Sequence, residues 1–305
     1  MSPTTIRVGG YAPKDSVHSQ ALDRFAEEVR SRSNGEITTE IMYNVLDSGR
    51  PATALFDMVD SGDLLWCYYS TSYLGAVAPE LNALEVPFLF DEVADAHDAL
   101  DGDLGAALGE AVRIKATYDV LGFWDNGLRH LTNRVRSIRR PKDCRGLRIR
   151  LQPNIIHEAL AKSWGMEPVP AELSVGIAMI KQGEVDAQEN PLANTVAYGV
   201  DHEHVTLSAH LYGARGLFAN GEGMKALGPA AEVVRSAARA AIAFQREAAA
   251  AYELELRRKL EDEGRLVVDL EPDERQAFID ASEAVIMAAR SDIDPELRKL
   301  LPSSP

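Results

Sequence analysis

A short pattern occurs twice in this 305-residue chain and constrains its fold more than any other feature. In each copy a helical stretch ends at a glycine, an acidic and an aliphatic residue follow, and a strand-like run begins. The two copies are Ser61-Gly62-Asp63-Leu64 and Gln182-Gly183-Glu184-Val185. Because a helix followed by a buried strand is the building unit of a parallel α/β sheet, the repeat predicts two similar α/β lobes.

The first half of the chain alternates strands and helices. Strand-like runs are expected at 6–10, 36–43 and 63–68, with helical periodicity at 22–29 and 52–59 between them. This order implies a parallel sheet flanked by helices, and an open sheet of that kind binds ligands at the carboxyl ends of its strands.

The second half repeats this order and then becomes helical. Strands are expected at 118–124, 147–151, 204–208 and 211–218, and helices at 155–164, 172–182, 229–263 and 273–289. Asp125-Asn126-Gly127 predicts a turn at which the chain crosses between the lobes. At about 1.5 Å rise per residue, the helix at 229–263 is long enough to span both lobes.

Composition narrows the class of protein. With 46% hydrophobic and 26% charged residues the chain is ordinary globular material, and no apolar run reaches the roughly 18 residues of a membrane helix. The only cysteines, Cys67 and Cys144, are too few for a disulfide framework and are not arranged for zinc or redox chemistry, so no cofactor is expected. The start of the chain lacks a signal-peptide pattern, which predicts either a cytoplasmic protein or a trimmed mature form.

The segment 129–150 is strongly basic inside an acidic chain. It holds nine lysines and arginines and a single acid, Asp143, whereas the whole chain has a net charge of −15. Hydrophobic and basic residues alternate at 147–151, so Arg148 and Arg150 should share one face of a strand. An arginine at the end of such a strand can hold a carboxylate with its planar fork, although a solvated basic face is the alternative.

Other chemistries find little support. The basic segment contains no Phe, Tyr or Trp, which argues against a nucleic-acid module. His202, His204 and His210 lie close in sequence but lack the spacing of a zinc site, so no metal is expected. Gly221-Glu222-Gly223 lacks the ending of a phosphate loop, and no catalytic constellation is evident, which predicts that the protein is not an enzyme.

Several stretches occur in an order and spacing that is fairly specific when taken together. They are 123–129 (Phe-Trp-Asp-Asn-Gly-Leu-Arg), 146–150 (Gly-Leu-Arg-Ile-Arg), 183–191 (Gly-Glu-Val-Asp-Ala-Gln-Glu-Asn-Pro) and 87–90 (Pro-Phe-Leu-Phe). With the long late helix, they resemble the extracytoplasmic substrate-binding proteins of TRAP transporters (DctP type) over nearly the whole chain.

The resemblance implies an α/β, two-lobed, periplasmic-binding-protein-like fold with a ligand cleft between the lobes and a long lobe-spanning helix. Lobe I would comprise 1–126 plus 214–250, and lobe II would comprise 127–213 plus 251–305. It also implies that Arg150 pairs with the carboxylate of an organic acid. Asn190 matches a donor to the same anion, and Arg129 matches a second arginine that some members use.

Further residues are expected to line the cleft. They are His18, Tyr69, Ser70, Thr71, Trp124, Gln188, His210 and Tyr212. The hydroxyl-rich run at 69–73 follows a buried strand, where an open sheet binds its ligand, although such clusters are also common in ordinary loops. The aromatic members would favour a flat or apolar acid and the hydroxyl and amide members a sugar acid, and the sequence leaves both open.

The function implied by the resemblance is capture of a small organic acid for a TRAP-type secondary transporter, by an arginine clamp and lobe closure. Its partners would be the acid and the membrane components of the transporter, with no nucleic acid. The protein would be a periplasmic monomer whose signal peptide has been removed. The alternative is a cytoplasmic carboxylate-binding enzyme or sensor on the same two-lobed fold.

Overall fold

Both copies of the helix-glycine-acid-strand pattern fold as predicted in the computed structural model, which describes residues 4–303. Gly62 and Gly183 adopt left-handed backbone conformations, with φ of 78° and 72°, and each ends the helix before it. The aliphatic residues that follow, Leu64 and Val185, are completely buried. In both copies, therefore, the helix ends at the glycine and the chain enters a hydrophobic core two residues later.

The described residues form an α/β structure. Its strands are β1 (Thr4–Gly9), β2 (Ile37–Met42), β3 (Trp66–Ser70), β4 (Tyr118–Asn133), β5 (Arg148–Leu151), β6 (Glu167–Pro170), β7 (Ala187–Asn190), β8 (His204–Asn220) and β9 (Leu266–Asp269). Its helices are α1 (Val17–Arg32), α2 (Ala54–Asp60), α3 (Val93–Asp101), α4 (Asp103–Ala116), α5 (Ile155–Ser163), α6 (Leu173–Gln182), α7 (Leu192–Ala197), α8 (Gly221–Ala226), α9 (Ala230–Asp262), α10 (Pro272–Ser291) and α11 (Pro295–Arg298).

Contacts within the chain divide it into two compact units. Unit 1 comprises the residues up to Ser70 together with Leu100–Asp125 and Ala214–Ala251, and unit 2 comprises Thr71–Ala99, Asn126–Gly213 and the residues from Tyr252 onward. The long strands β4 and β8 and the long helix α9 each contribute residues to both units.

Unit 1 is built on a mainly parallel sheet. β1 lies between β2 and β3 and runs parallel to both, with Val8 opposite Ile41 on one side and Trp66 on the other. β3 pairs with the second part of β8 in antiparallel orientation. The ring of Trp66 meets Phe25 edge-on at 4.8 Å and Trp124 at 6.0 Å, and all three rings are buried in the core of this unit.

The sheet of unit 2 holds the segment that the sequence analysis singled out. β5 runs parallel to β6 on one side and to β7 on the other, with Arg150 opposite Val169 and Gln188. β7 pairs with the second part of β4 in antiparallel orientation, with Gln188 opposite Thr132. β9 extends the first part of β8 in parallel.

The predicted turn at Asp125-Asn126-Gly127 is wrong, because β4 runs through it without a break. Gly127 has φ of +102°, which lets the strand bend locally while its ladder continues. In the same way, the two strands predicted at 204–208 and 211–218 form the single strand β8, with Ala209 at φ of +44°. Each long strand therefore contains a residue with positive φ close to the point where the sequence predicted a break.

The segment Thr71–Ala99, which the sequence analysis placed in lobe I, packs with unit 2 in the structure. Glu85 accepts a hydrogen bond from Ser72 at 2.8 Å and lies 2.7 Å from His157 on α5. The backbone of Phe88 donates to the carbonyl of His210 at 2.9 Å. These buried polar contacts connect the segment to α5 and β8, and no periodicity in the sequence could reveal them.

Both cysteines, Cys67 and Cys144, are buried and free. Burial raises the pKa of the Cys144 thiol to about 12, and burial also raises the pKa of Cys67, so neither is a reactive thiolate near neutral pH. Within residues 4–303, none of the helices combines the length and the apolarity that a membrane span requires.

Candidate functional site

Arg150 is a buried cation on β5 whose charge is not balanced by any carboxylate within residues 4–303. It is 2% exposed, whereas Arg148, two residues earlier on the same strand, is exposed. Its Nη2 donates to the carbonyl of Ala171 at 2.6 Å, and its buried Nε has no hydrogen-bond partner. Among the residues that the structure describes, no carboxylate pairs with this guanidinium. Because an unbalanced buried charge is costly, the site favours an anionic ligand.

Two amide side chains lie on the same face of the sheet as Arg150. Gln188 is its register partner on β7, and Asn190 follows two residues later, so all three side chains point the same way. Gln188 donates to Thr195 Oγ1 at 2.9 Å and accepts from Asn190 Nδ2 at 3.3 Å, while Asn194 donates to Asn190 Oδ1 at 3.1 Å. The bond to Gln188 uses one of the two amide hydrogens of Asn190, which leaves the other for a ligand.

Arg129 is equally buried but has a carboxylate partner. Its Nε and Nη2 donate to the two oxygens of Glu189, the second bond at 2.7 Å. Glu189 faces Leu131 across the strand pair, on the opposite side of the sheet from Gln188. With the amide of Gln152 oriented to satisfy both groups, its oxygen accepts from Arg129 Nη1 at 3.0 Å and from Nη2 at 3.1 Å. The structure therefore does not bring Arg129 together with Arg150, Gln188 and Asn190.

Glu189 is the centre of a buried polar network. His157 Nδ1 lies 3.8 Å from one carboxylate oxygen and His210 Nε2 lies 3.7 Å from the other. His157 in turn lies 2.7 Å from Glu85 through its Nε2. Burial by itself would raise the pKa of Glu189, but the charge of Arg129, its hydrogen bonds to Glu189 and the nearby ring of His210 outweigh burial and hold that pKa well below its usual range.

Two of the three histidines near residue 200, His202 and His210, are buried in separate environments. His210 forms a 2.8 Å hydrogen bond with Ser208 and meets Trp164 edge-on at 5.3 Å. Burial lowers its pKa, although Glu189 opposes the shift. The Nδ1 atom of His202 lies 3.0 Å from Thr132 Oγ1, and its Nε2 is buried without a partner. Over residues 4–303, no group of three or more His, Cys, Asp or Glu side chains is placed to hold a metal ion.

His202 should make stability depend on pH. Burial lowers its pKa from 6.5 to about 4, so between these values the unfolded chain binds a proton that the folded chain does not. The free energy of unfolding should therefore fall as the pH decreases from about 6.5 to about 4, by about 3 kcal/mol from this group. Urea unfolding of His202→Gln across that range should show a shallower dependence than the wild type. His204→Gln controls for loss of a nearby, half-buried histidine, and an unchanged dependence in His202→Gln would contradict the prediction.

In unit 1, His18 and Trp124 lie together against Tyr68. The ring of His18 is 5.4 Å from Tyr68 and 6.0 Å from Trp124, and Tyr68 is 5.1 Å from Trp124. His18 Nε2 lies 2.9 Å from the carbonyl of Asp125, and Gln245 brackets the same residue with bonds to its amide and its carbonyl. Burial, reinforced by the charge of Arg215, lowers the pKa of His18, so the ring is neutral.

Arg215 is a functional candidate that the sequence analysis missed. It is buried on β8, and its guanidinium carbon lies 4.8 Å from the ring centre of Tyr11 and 5.4 Å from that of Tyr68. A single cation in the apolar run at 211–219 was the available signal, because a buried arginine in a strand requires a specific environment. Glu85, His157 and Gln152 were also missed, since only the fold brings them near Glu189 and Arg129.

The remaining predicted residues, Tyr69, Ser70, Thr71 and Tyr212, are buried. Tyr69 and Ser70 end β3, and the ring of Tyr69 packs on Phe56 at 4.8 Å. Thr71 begins the 3-10 turn Thr71–Tyr73, and Tyr212 on β8 meets Phe90 edge-on at 5.6 Å. Their contact with ligand stays a prediction of the sequence.

Comparison with known proteins shows which family this chain belongs to. Residues 8–292 match the bacterial extracellular solute-binding proteins, family 7 (DctP). A solute-binding protein of Verminephrobacter eiseniae is 32% identical over 212 residues, which span 68% of this chain and 62% of that protein. The chain thus covers less than two thirds of that relative's own length. The 2,3-diketo-L-gulonate-binding periplasmic protein YiaO of Escherichia coli is 28% identical over 92% of this chain and 85% of its own.

A solved structure of a binding protein has the same fold as this chain. The sugar acid binding protein DctPAm of Advenella mimigardefordensis, in complex with galactonate, superposes with a TM-score of 0.90 at 26% identity over 98% of this chain and 96% of its own. The fold is therefore that of the TRAP periplasmic binding proteins, as the sequence predicted. With nearly the whole chain matched, the protein belongs to the DctP family, the bacterial extracellular solute-binding proteins of family 7.

Proposed function

We propose that the protein captures a small organic acid for a TRAP-type transporter, with Arg150 holding the acid's carboxylate. The observation that carries the proposal is the contrast between the two buried arginines of unit 2. Glu189 balances the charge of Arg129, whereas Arg150 has no carboxylate partner among the described residues. A bound carboxylate would supply that missing charge and could use the planar fork of the guanidinium.

The neighbours of Arg150 support an acid that carries further polar groups. Gln188 and Asn190 lie on the same face, and their amides are fixed in orientation by Thr195 and Asn194. Fixed amides can both donate and accept hydrogen bonds, which suits a ligand with hydroxyl groups. Sugar acids are therefore the first candidates, in keeping with the galactonate bound by the Advenella protein and the diketogulonate named for the E. coli relative.

The protein would lie in the periplasm as a monomer, deliver the acid to the membrane components of the transporter, and release it chemically unchanged. Family membership supports binding without catalysis. Arg129 would act as internal support rather than as a ligand contact, because Glu189 and Gln152 occupy its donors. Closure of the lobes on the acid stays a prediction of the sequence. No observation favours the cytoplasmic enzyme or sensor that the sequence left as an alternative.

A thermal-shift comparison tests the choice of a carboxylate. Galactonate and galacturonate should raise the melting temperature, and the neutral polyol galactitol should not, because it would leave the charge of Arg150 unbalanced. At about 100 times Kd, a bound acid adds about 2.7 kcal/mol to the free energy of unfolding. A neutral polyol that stabilises the protein as well as its acid would overturn the carboxylate clamp. If none of a wider panel of organic acids shifts the melting temperature, the proposed function fails.

A further inference from the structure

Gly176 lies on helix α6 at the point where the side chain of Arg150 packs against that helix. A methyl group on the Cα atom of Gly176 would lie 2.2 Å from Nε of Arg150 and 2.9 Å from both Cδ and Cζ. Real side chains do not approach that closely, so the guanidinium occupies the volume that any side chain at position 176 would fill. Gly176 itself is buried.

The backbone conformation of Gly176 does not itself require a glycine. Its φ angle is not among the positive values found in the described part of the chain, and its amide donates to the carbonyl of Glu172 at 2.7 Å, as in an ordinary first turn. Glycine is the least favourable residue in a helix interior after proline, so an unstrained helical glycine needs a separate explanation. The space it leaves for Arg150 supplies one.

Two contacts together determine where the guanidinium lies. Ala171, just before α6, accepts the 2.6 Å hydrogen bond from Nη2, and the bare backbone at Gly176 lies against Nε and Cζ. Both groups belong to the same helix and its entry loop. The guanidinium is thereby held against the start of α6, with Nε still lacking a hydrogen-bond partner.

We propose that Gly176 is a positioning residue for acid binding, and that it acts by letting the guanidinium of Arg150 lie against α6 in the orientation that presents its donors to the carboxylate. The inference rests on the proposed function, since it takes Arg150 as the group that holds the acid. A bidentate pair depends on the angle of the fork as well as on charge, so a displaced guanidinium binds more weakly even though it remains charged.

The contact is tested first without ligand, by urea unfolding of Gly176→Ala, Arg150→Ala and the double variant. Gly109→Ala is the matched control, because Gly109 is also helical and its added methyl would meet only Val120 Cβ, at an ordinary 3.6 Å. We expect Gly109→Ala to raise the unfolding midpoint, since alanine favours helix. Gly176→Ala should lower the midpoint in the wild type and raise it in the Arg150→Ala background, where the clash is gone.

An equal rise in both backgrounds would overturn the inference, because Gly176 would then not act through Arg150. If Gly176→Ala alone does not fold, the double variant decides: a folded double variant supports the contact, and an unfolded one overturns it. This arm requires no bound acid, so its result is independent of the proposed function.

The second arm is calorimetric titration with galactonate. Gly176→Ala should bind about tenfold more weakly than the wild type, which corresponds to about 1.4 kcal/mol, and Gly109→Ala should bind equally well. Equal binding by the wild type and Gly176→Ala would overturn the positioning role and leave the proposed function intact. If the wild type itself binds neither galactonate nor any other acid in the thermal panel, the proposed function fails, and with it the positioning role.

Discussion

Replacement of Arg150 by alanine should abolish most of the affinity for the acid while leaving the protein folded. Loss of a buried, charge-assisted pair costs about 2–5 kcal/mol of binding, which is about 30-fold to several thousandfold in Kd. The unliganded variant should be at least as stable as the wild type, because the substitution removes a buried cation that has no carboxylate partner in the described part of the chain. Titration calorimetry with galactonate and urea unfolding without it measure the two effects.

Arg148→Ala is the matched control, since Arg148 is on the same strand and face but is exposed to solvent. It should change affinity little, because an exposed charge is screened. Arg150→Lys should also bind weakly, since a point charge cannot replace the fork. Unchanged affinity in Arg150→Ala would refute the clamp and restore the interpretation of these arginines as a basic face with local ion pairs.

Loss of the charge of Glu189 should produce the largest effect on stability. Glu189→Gln keeps the size of the side chain but leaves Arg129 as an unbalanced buried cation, and breaking a buried pair costs about 3–5 kcal/mol. Chemical unfolding would measure the loss. The double variant Glu189→Gln/Arg129→Met should recover most of the loss, because both charges are then removed.

Asp269→Asn serves as the control for an exposed ion pair. Asp269 pairs with Arg257 at 2.5 Å, but the aspartate side chain is 60% exposed, so its loss should cost about 0–1 kcal/mol. A comparably small loss in Glu189→Gln would show that the buried pair does not stabilise the fold.

The same pair predicts a pH dependence. Because the folded-state pKa of Glu189 is depressed, the stabilisation is present above the ordinary carboxylate pKa of about 4.3 and is lost as the pH falls toward the depressed value. Glu189→Gln should remove that part of the acid dependence.

The two buried arginines of unit 2, Arg129 and Arg150, differ in how their charges are balanced. Both are buried and both lie in the basic segment, but one is neutralised by Glu189 and the other is not. The net charge of −15 repels anions at long range, so recognition of an acid must be short-ranged. Added salt should therefore weaken binding less than it would at an exposed basic patch.

The sequence by itself determined the class of fold. The repeated pattern predicts two helix-to-strand units, and Gly62 and Gly183 end their helices as expected, because only glycine adopts a left-handed conformation without strain. The alternation at 147–151 placed Arg150 on a strand face, and the period of a strand is a local property. Local rules failed at Asp125-Asn126-Gly127, where pairing with neighbouring strands overrode a turn signal.

Only the tertiary structure decided which charges are balanced. Arg129 and Arg150 look alike in the sequence, and the difference arises because strand register brings Glu189 to one of them and not to the other. The role of Gly176 likewise depends on the approach of α6 to β5, which joins residues 26 positions apart. The residues in such contacts are far apart in the sequence, so a local sequence pattern does not predict them. The contacts form only when the strands have paired in register and the helices have packed on the sheet.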